Sequence, residues 1–189
     1  MTKKEQIEQT ARELFWKYGF KKVSIEEICK KAGVSRKTYY TYFSNKPALV
    51  IALLEKMTNE MLEIYDRLIH DETKTFSEKM TEILSIKFQM NKDFSMEFVS
   101  DFFHPDSVEI LEYFNGLIAK SMQMTRNFFE EAQKKGEMNS NLSIDFVMWN
   151  MQKQMELFMS SESVAMFKDT ESMTRQMSEL MIYGVMPVK

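Results

Sequence analysis

Side chains suited to binding a polyanion are concentrated in residues 35–46. Arg36 and Lys37 lie near the start of this stretch and Lys46 ends it, with hydroxyl groups in between. Guanidinium and ammonium groups bind phosphates and guanine edges, while hydroxyl groups donate to phosphate and sugar oxygens. The stretch therefore predicts nucleic-acid contacts, with Arg36 and Lys37 best placed to reach base edges. The candidates are Ser35, Arg36, Lys37, Thr38, Tyr40, Thr41, Tyr42 and Lys46.

Three short helices must position these groups. The first is predicted over Lys3–Tyr18 and ends at Gly19, which is a natural C-terminal stop. Ser24 and Glu27 have the spacing of a capping box, so a second helix is predicted from Ile25 to Ala32. After a glycine turn, Ser35 caps a third helix, Arg36 to about Phe43. Two helices joined by such a turn indicate a helix-turn-helix, whose second helix enters the major groove of DNA.

The placement of the cations supports a phosphate ligand. Arg36 and Lys37 lie in the first turn of the third predicted helix, and Lys46 begins the fourth. Cations at helix N-termini cost about 0.3–1 kcal/mol each, because those ends carry partial positive charge. Bound phosphates reverse that cost. The alternative is that these are ordinary solvated side chains.

Charge is distributed unevenly along the chain. The protein has 25 basic and 28 acidic residues, a net charge of −3, which by itself would argue against nucleic acid. Residues 1–50, however, carry 11 basic and 5 acidic side chains, whereas the remainder carries 14 and 23. A basic head on an acidic body is expected when one end of a protein meets a polyanion.

The head resembles the DNA-binding domain of the TetR (tetracycline repressor) family of bacterial regulators. The resemblance implies that Ser24, Thr38, Tyr40, Tyr42 and Lys46 bind phosphates while Arg36 and Lys37 face the groove. Cys29 and Tyr39 depart from the family's usual residues without threatening the fold. The matching positions are Ala11, Leu14, Phe15, Gly19, Phe20, Ser24, Ile28, Ala32, Gly33, Val34, Ser35, Tyr40, Phe43, Lys46 and Leu49.

The resemblance also implies two domains with different functions. Residues 1–46 would form the DNA-binding domain, and 47–189 a domain for ligand binding and dimerisation. A homodimer would bind a palindromic operator as a repressor. A ligand would move the fourth helix, so that the two recognition helices no longer lie one DNA turn apart. An activator, a regulator triggered by a partner protein, and a helical adaptor with a vestigial head are the alternatives.

The rest of the chain also reads as helical. The 189 residues include only 5 glycines and 3 prolines, so few chain-reversing turns are expected. Apolar residues also recur at helical spacing. The fold class predicted is all-α, an N-terminal three-helix head followed by a helical bundle. The further helices are predicted at about 46–70, 76–91, 95–103, 106–135, 143–161 and 170–185.

Methionine and phenylalanine are abundant beyond the head. Residues from Met57 onward hold 17 methionines and 12 phenylalanines, and such flexible, bulky side chains suit a pocket for apolar ligands of variable shape. The pattern favours a small apolar or aromatic effector, although plain core is the alternative for each residue. The candidates are Met61, Tyr65, Phe88, Phe98, Phe102, Phe114, Met122, Phe128, Trp149 and Gln152.

The last two predicted helices carry apolar faces suited to dimerisation. The family resemblance implies that these helices pair with their mates in a four-helix bundle, while intramolecular core is the alternative. The candidates are Phe146, Met151, Met155, Phe158, Met173, Met177, Leu180, Met181 and Tyr183.

Other classes of function find little support. No nucleophile, HExxH or phosphate-loop motif is present, so an enzyme is not expected, and no cofactor is predicted. Glu97, Asp101, His104 and Asp106 have a spacing open to a metal, but a solvated helix end is the preferred interpretation and no metal site is predicted. The longest apolar run, 48–54, is too short to cross a bilayer. We expect a cytoplasmic protein.

Overall fold

A computed structural model describes residues 1–185 apart from 92, 103 and 159, and for some helical residues the backbone alone. A single 3-10 turn, Pro105–Ser107, precedes the longest helix. The helices are α1 (Lys3–Tyr18), α2 (Ile25–Ala32), α3 (Arg36–Tyr42), α4 (Lys46–Ile69), α5 (Phe76–Asn91), α6 (Met96–Asp101), α7 (Val108–Lys134), α8 (Ile144–Phe158), α9 (Ser161–Met166) and α10 (Thr170–Val185).

The all-α prediction is confirmed: a three-helix head precedes a helical bundle, and the described residues contain no strand. One predicted helix is wrong. The sequence suggested a continuous helix over 143–161, but α8 ends at Phe158 and α9 begins at Ser161. The Ser160 hydroxyl donates to the Leu157 carbonyl at 2.7 Å, and serines that bond to nearby backbone in this way disfavour helix interiors.

Side-chain caps explain where the helices of the head begin. The Ser24 hydroxyl accepts from the Glu27 amide at 3.1 Å, as the sequence predicts. The return bond from the Glu27 side chain is not among the described contacts, so the capping box there is half formed. The complete box lies at Thr2, where Glu5 reaches back to the Thr2 amide at 2.7 Å. Each cap satisfies backbone donors that the first helical turn leaves free.

Two hydrophobic clusters hold the molecule together. The first, which we call the head cluster, joins α1–α3 to the first half of α4 and to α6, with Phe15, Phe20 and Leu49 at most 1% exposed. The second packs the far half of α4 against α5, α7 and α8, around Phe76 and Phe129. Among the described helices, none combines the length and the apolar character needed to cross a membrane.

Gly19 brings the head close to α6. It ends α1 with φ +80°, and its amide donates to the Phe15 carbonyl at 2.9 Å. A Cβ added at Gly19 would lie 2.5 Å from Asp101 Oδ2 and 3.3 Å from the Glu97 carbonyl. Both the positive φ and this close approach require glycine.

We therefore expect Gly19→Ala to lower the free energy of unfolding by about 1–3 kcal/mol, because strain at positive φ adds to the clash with Asp101. Gly116→Ala is the matched control. Gly116 lies within α7 with open space around it, so alanine there should raise stability by about 0.5–1 kcal/mol. Urea unfolding at one fixed protein concentration measures both. Equal effects of the two substitutions would contradict the described approach of Gly19 to α6.

Candidate DNA interface and effector cavity

Helix α3 is held in place by a turn and by one buried tyrosine. Gly33 adopts the left-handed conformation, and the Val34 amide donates back to the Cys29 carbonyl at 3.0 Å. Tyr39 is fully buried, and its hydroxyl donates to the Asn45 carbonyl at 3.1 Å. Burial raises the pKa of this phenol. With Tyr39 facing inward, the opposite face of α3 is presented to solvent.

The basic groups of α3 lie on that exposed side. Arg36 is 59% exposed, and its Nη1 lies 2.6 Å from Glu26 Oε1. A hydrogen bond with Tyr40, together with the Glu26 charge, raises the pKa of Arg36. An ion pair this exposed is worth little, so the guanidinium can exchange Glu26 for another anion. Lys37 is also exposed.

The hydroxyl side chains divide into two groups. Tyr40 and Tyr42 are 46% and 43% exposed. The Ser35 hydroxyl accepts from the Thr38 amide at 3.0 Å and lies 2.9 Å from the Thr38 hydroxyl. Thr41 donates to the Lys37 carbonyl at 3.0 Å. Like Ser24, Ser35 and Thr41 bond to the head's own backbone, and the Thr38 hydroxyl pairs with that of Ser35. The two tyrosines are instead exposed.

Lys46 has an internal role that the sequence did not suggest. Its ammonium donates to the carbonyls of Lys21 at 3.0 Å and Val23 at 2.9 Å, which ties the start of α4 to the α1–α2 connection. Partial burial lowers the pKa of Lys46. These bonds use two of the three protons of the ammonium group.

A cavity of about 280 Å³ lies within the bundle. Five of the ten predicted ligand residues line it, contributed by α4, α6, α7 and the turn after α6. These are Met61, Phe98, Phe102, Phe114 and Met122.

The other five predicted residues do not line this cavity. Tyr65 and Phe128 pack edge to face in the neighbouring core, where burial raises the pKa of Tyr65 to about 12. Phe88 lies beneath the Arg175 guanidinium, 5.0 Å from it. Trp149, 55% exposed, and Gln152 lie on the outer face of α8. Helical periodicity predicts which residues of one helix share a face, but not which neighbouring helix that face contacts. It therefore could not show that these five lie away from this cavity.

Several lining residues were missed by the sequence reasoning. Met57 and Thr58 lie one turn from Met61 on α4, and Met80 and Leu84 lie on α5. Thr174 of α10, 4% exposed, also lines the cavity. The i, i+3 and i+4 spacing around Met61 could have revealed the α4 residues. Nothing in the sequence singled out Thr174.

Two acidic residues near the end of α6 bind Lys21 of the head. Asp101 Oδ2 accepts from the Lys21 amide at 2.8 Å. Asp106 Oδ2 lies 2.8 Å from the Lys21 ammonium and 3.4 Å from His104 Nδ1. The hydrogen bond from Lys21 lowers the pKa of Asp106. These carboxylates thus join α6 and the following turn to the head.

Comparison with known proteins gives the same architecture. The family model for bacterial regulatory proteins of the tetR family matches residues 7–53. The uncharacterized HTH-type transcriptional regulator YerO of Bacillus subtilis (strain 168) is 30% identical over 129 residues, which are 66% of this chain and 45% of that protein. The chain thus spans less than half the length of this relative.

Two crystal structures share the fold over 96% of this chain and 98% of their own. Regulatory protein TetR from Rhodobacter sphaeroides matches with a TM-score of 0.73 at 15% identity. Transcriptional regulator FadR from Bacillus subtilis, in complex with stearoyl-CoA, matches with a TM-score of 0.71 at 19% identity. The family model thus identifies residues 7–53, which include the helix-turn-helix of α2 and α3, as a domain of the tetR family of bacterial regulatory proteins, and the two structures show that the chain shares their fold.

Proposed function

We propose that the protein is a homodimeric repressor that binds a palindromic operator and is released by a small apolar or aromatic effector. Residues 1–46 act as the DNA-binding head, and residues 47–189 hold the effector and the partner subunit. It acts by binding, without catalysis, in the bacterial cytoplasm. The observation that carries this proposal is that the cavity and the head share one wall.

That shared wall is the aromatic face of α6. Phe98 and Phe102 line the cavity and also belong to the head cluster. Trp16 of α1 stacks on Phe98, with ring centroids 5.2 Å apart and planes at 12°. Phe20 meets both phenylalanines edge to face, at 5.9 and 5.4 Å. A ligand that displaces these rings therefore displaces α1, since close-packed side chains transmit strain.

Polar contacts extend the coupling to the turn between α1 and α2. The Ser95 amide donates to the Trp16 carbonyl at 2.8 Å, and the Lys21 amide donates to Asp101. The Lys21 carbonyl in turn accepts from Lys46 at the start of α4. A shift of α6 thus reaches α4 through this turn, in addition to the direct movement of α4 that the family resemblance implies. To release the DNA, the ligand must bind more tightly to the dimer conformation in which the two heads have the spacing that does not fit the operator.

On the DNA side, the exposed face of α3 supplies the contacts. Arg36 and Lys37 reach base edges in the major groove. The phosphates are contacted by Tyr40, Tyr42 and the remaining proton of Lys46. The hydroxyl groups that lie beside the DNA backbone are those of Ser24, Ser35, Thr38 and Thr41. A single helix of this length reads few bases, so a second copy one DNA turn away, about 34 Å, doubles the site.

The dimer contact is proposed for the outer face of α8 and α10. Phe146 and Trp149 stack on each other and are 52% and 55% exposed, and Leu180 and Tyr183 are exposed on α10. Large apolar groups exposed together indicate an interaction surface. Met173 is instead buried, and Met151, Met155 and Met177 line the cavity. The Phe158 and Met181 side chains lie outside the described residues.

Selection of bound duplexes from a random DNA pool tests the function. We expect a palindrome with half-sites about one turn apart, lost in the Arg36→Ala/Lys37→Ala double variant because both groove contacts are removed. Lys134→Ala/Lys135→Ala removes the same charge from exposed positions at the end of α7 and should still select it. Recovery of weak, sequence-blind binding alone, abolished by salt, would contradict a specific regulator and favour the adaptor.

The dimer surface can be tested by charge insertion. We expect Phe146→Glu/Trp149→Glu to give a folded monomer at micromolar concentration, because these side chains are already exposed in one subunit and the new charges would be buried only between subunits. Val108→Glu alters a similarly exposed apolar residue at the start of α7 and should leave the dimer intact. Sedimentation velocity measures both. A monomeric unmodified protein, or an unchanged double variant, would refute this interface.

A further inference from the structure

One of the two acidic side chains near the recognition helix is paired with an arginine. Between residues 14 and 54 the sequence has eight basic residues and two acidic ones, Glu26 and Glu27. Glu26 lies in the first turn of α2, and its Oε1 is 2.6 Å from Arg36 Nη1 on α3. Both side chains are more than half exposed. The pair therefore connects the two helices of the helix-turn-helix at the surface that would meet DNA.

Folding stability explains little of this arrangement. An ion pair between two exposed side chains contributes little free energy, and a carboxylate in a surface that meets DNA repels phosphates. Glu27 also lies in the first turn of α2, where the helix dipole favours an acidic side chain. None of the described ion pairs includes Glu27. The helix dipole thus accounts for an acidic residue at either position, whereas the contact with Arg36 is made by Glu26.

The Glu26 carboxylate changes what Arg36 can bind. A guanidinium group has five N–H donors, so donors remain for the O6 and N7 acceptors of a guanine while Glu26 occupies one of them. So exposed a pair can exchange Glu26 for a phosphate, but that phosphate would then lie next to a carboxylate of the same charge. A guanine carries no net charge and avoids this repulsion. Glu26 thus opposes phosphate contacts of Arg36 more strongly than base contacts.

Tyr40 holds the guanidinium from the other helix. Its ring packs edge to face on the buried ring of Tyr39, with centroids 5.4 Å apart. A hydrogen bond with Tyr40 and the charge of Glu26 both raise the pKa of Arg36. The guanidinium is thus held by one residue of each helix, within reach of the Glu26 charge.

We infer that Glu26 is a specificity-determining residue, which keeps Arg36 available for a guanine edge by opposing its binding to phosphates. This inference rests on the proposed function, which places the exposed face of α3 in the major groove. Non-specific binding to DNA comes from phosphate contacts, so Glu26 weakens binding to non-specific DNA more than binding to the operator. Specificity is the difference between those two affinities.

Two duplexes of equal length test this inference: the operator selected from the random pool and a scrambled sequence. Fluorescence anisotropy over a series of salt concentrations measures both affinities. Glu26→Gln keeps the shape of the side chain and removes its charge. We expect it to tighten binding to the scrambled duplex about fivefold more than binding to the operator at 0.1 M salt, which is the effect of about one added phosphate contact. The slope of log affinity against log salt should become steeper for the scrambled duplex by about 0.9.

Two matched variants separate this role from general electrostatics. Glu27→Gln removes the same charge from the adjacent exposed position and should tighten binding to both duplexes equally. In an Arg36→Ala background, Glu26→Gln should tighten binding to the scrambled duplex only as much as Glu27→Gln does, because the group on which Glu26 acts is absent. Equal effects of the two glutamine substitutions in the unmodified background, or an excess effect of Glu26→Gln that persists without Arg36, would overturn the inference.

The failure of this inference can be distinguished from the failure of the proposed function. If the unmodified protein selects no preferred sequence, the proposed function fails and the inference fails with it. If it selects a palindrome but Glu26→Gln leaves the ratio of the two affinities unchanged, the regulator stands and the role assigned to Glu26 is wrong.

Discussion

The packing of α6 against α1 is the contact on which the rest of this molecule depends. Helices α2 and α3 have eight and seven residues, too short to be stable as isolated helices. Their stability comes from the head cluster, which is completed by Phe98 and Phe102 of α6. Among the residues that the structure describes, the head therefore shares its hydrophobic core with the bundle. Its position is fixed by the same rings that line the cavity.

Because the head and the cavity share this core, the proposed regulation depends on where α6 lies relative to α1. The Lys21 amide donates to Asp101, and Lys46 donates to the Lys21 and Val23 carbonyls. These bonds leave the α1–α2 connection little freedom to move alone. Gly19 allows the close approach that these bonds need. A head held this firmly responds to changes in α6 as a unit, and two such heads in a dimer would translate a small displacement into a changed spacing on DNA.

Local signals in the sequence were sufficient for much of the fold. Ser24 and Ser35 marked the starts of α2 and α3, Gly19 and Gly33 marked ends, and apolar spacing gave the remaining helices. The break between α8 and α9 was missed because the bond from the Ser160 hydroxyl to the Leu157 carbonyl is not visible in apolar spacing. Properties that depend on how the helices pack against one another could not be predicted from the sequence either. The described lining of the cavity draws on six helices and on residues before and after α6, so Trp149 could not be separated from Met151 by spacing on α8 alone.

The side chains of the candidate sites show the same limit. The exposure of Arg36 and Lys37 followed from the inward face of α3, since Tyr39 and Phe43 lie four residues apart. The bonds of Lys46 to the α1–α2 connection depend on a contact between residues more than twenty positions apart. The burial of Thr174 in the cavity wall likewise depends on the assembled helices and has no signature in the sequence.

The central claim is that filling the cavity changes the spacing of the two heads. Pulsed electron paramagnetic resonance on the dimer measures this directly, with a spin label on Lys30→Cys, an exposed position of α2, in a Cys29→Ala background. With the operator duplex bound, we predict one narrow distance between the two labels. Adding 2-naphthol, a largely apolar two-ring probe small enough for a cavity of about 280 Å³, should shift this distance as the DNA dissociates. Release of DNA with an unchanged distance, or the absence of any distance between subunits, would contradict the claim.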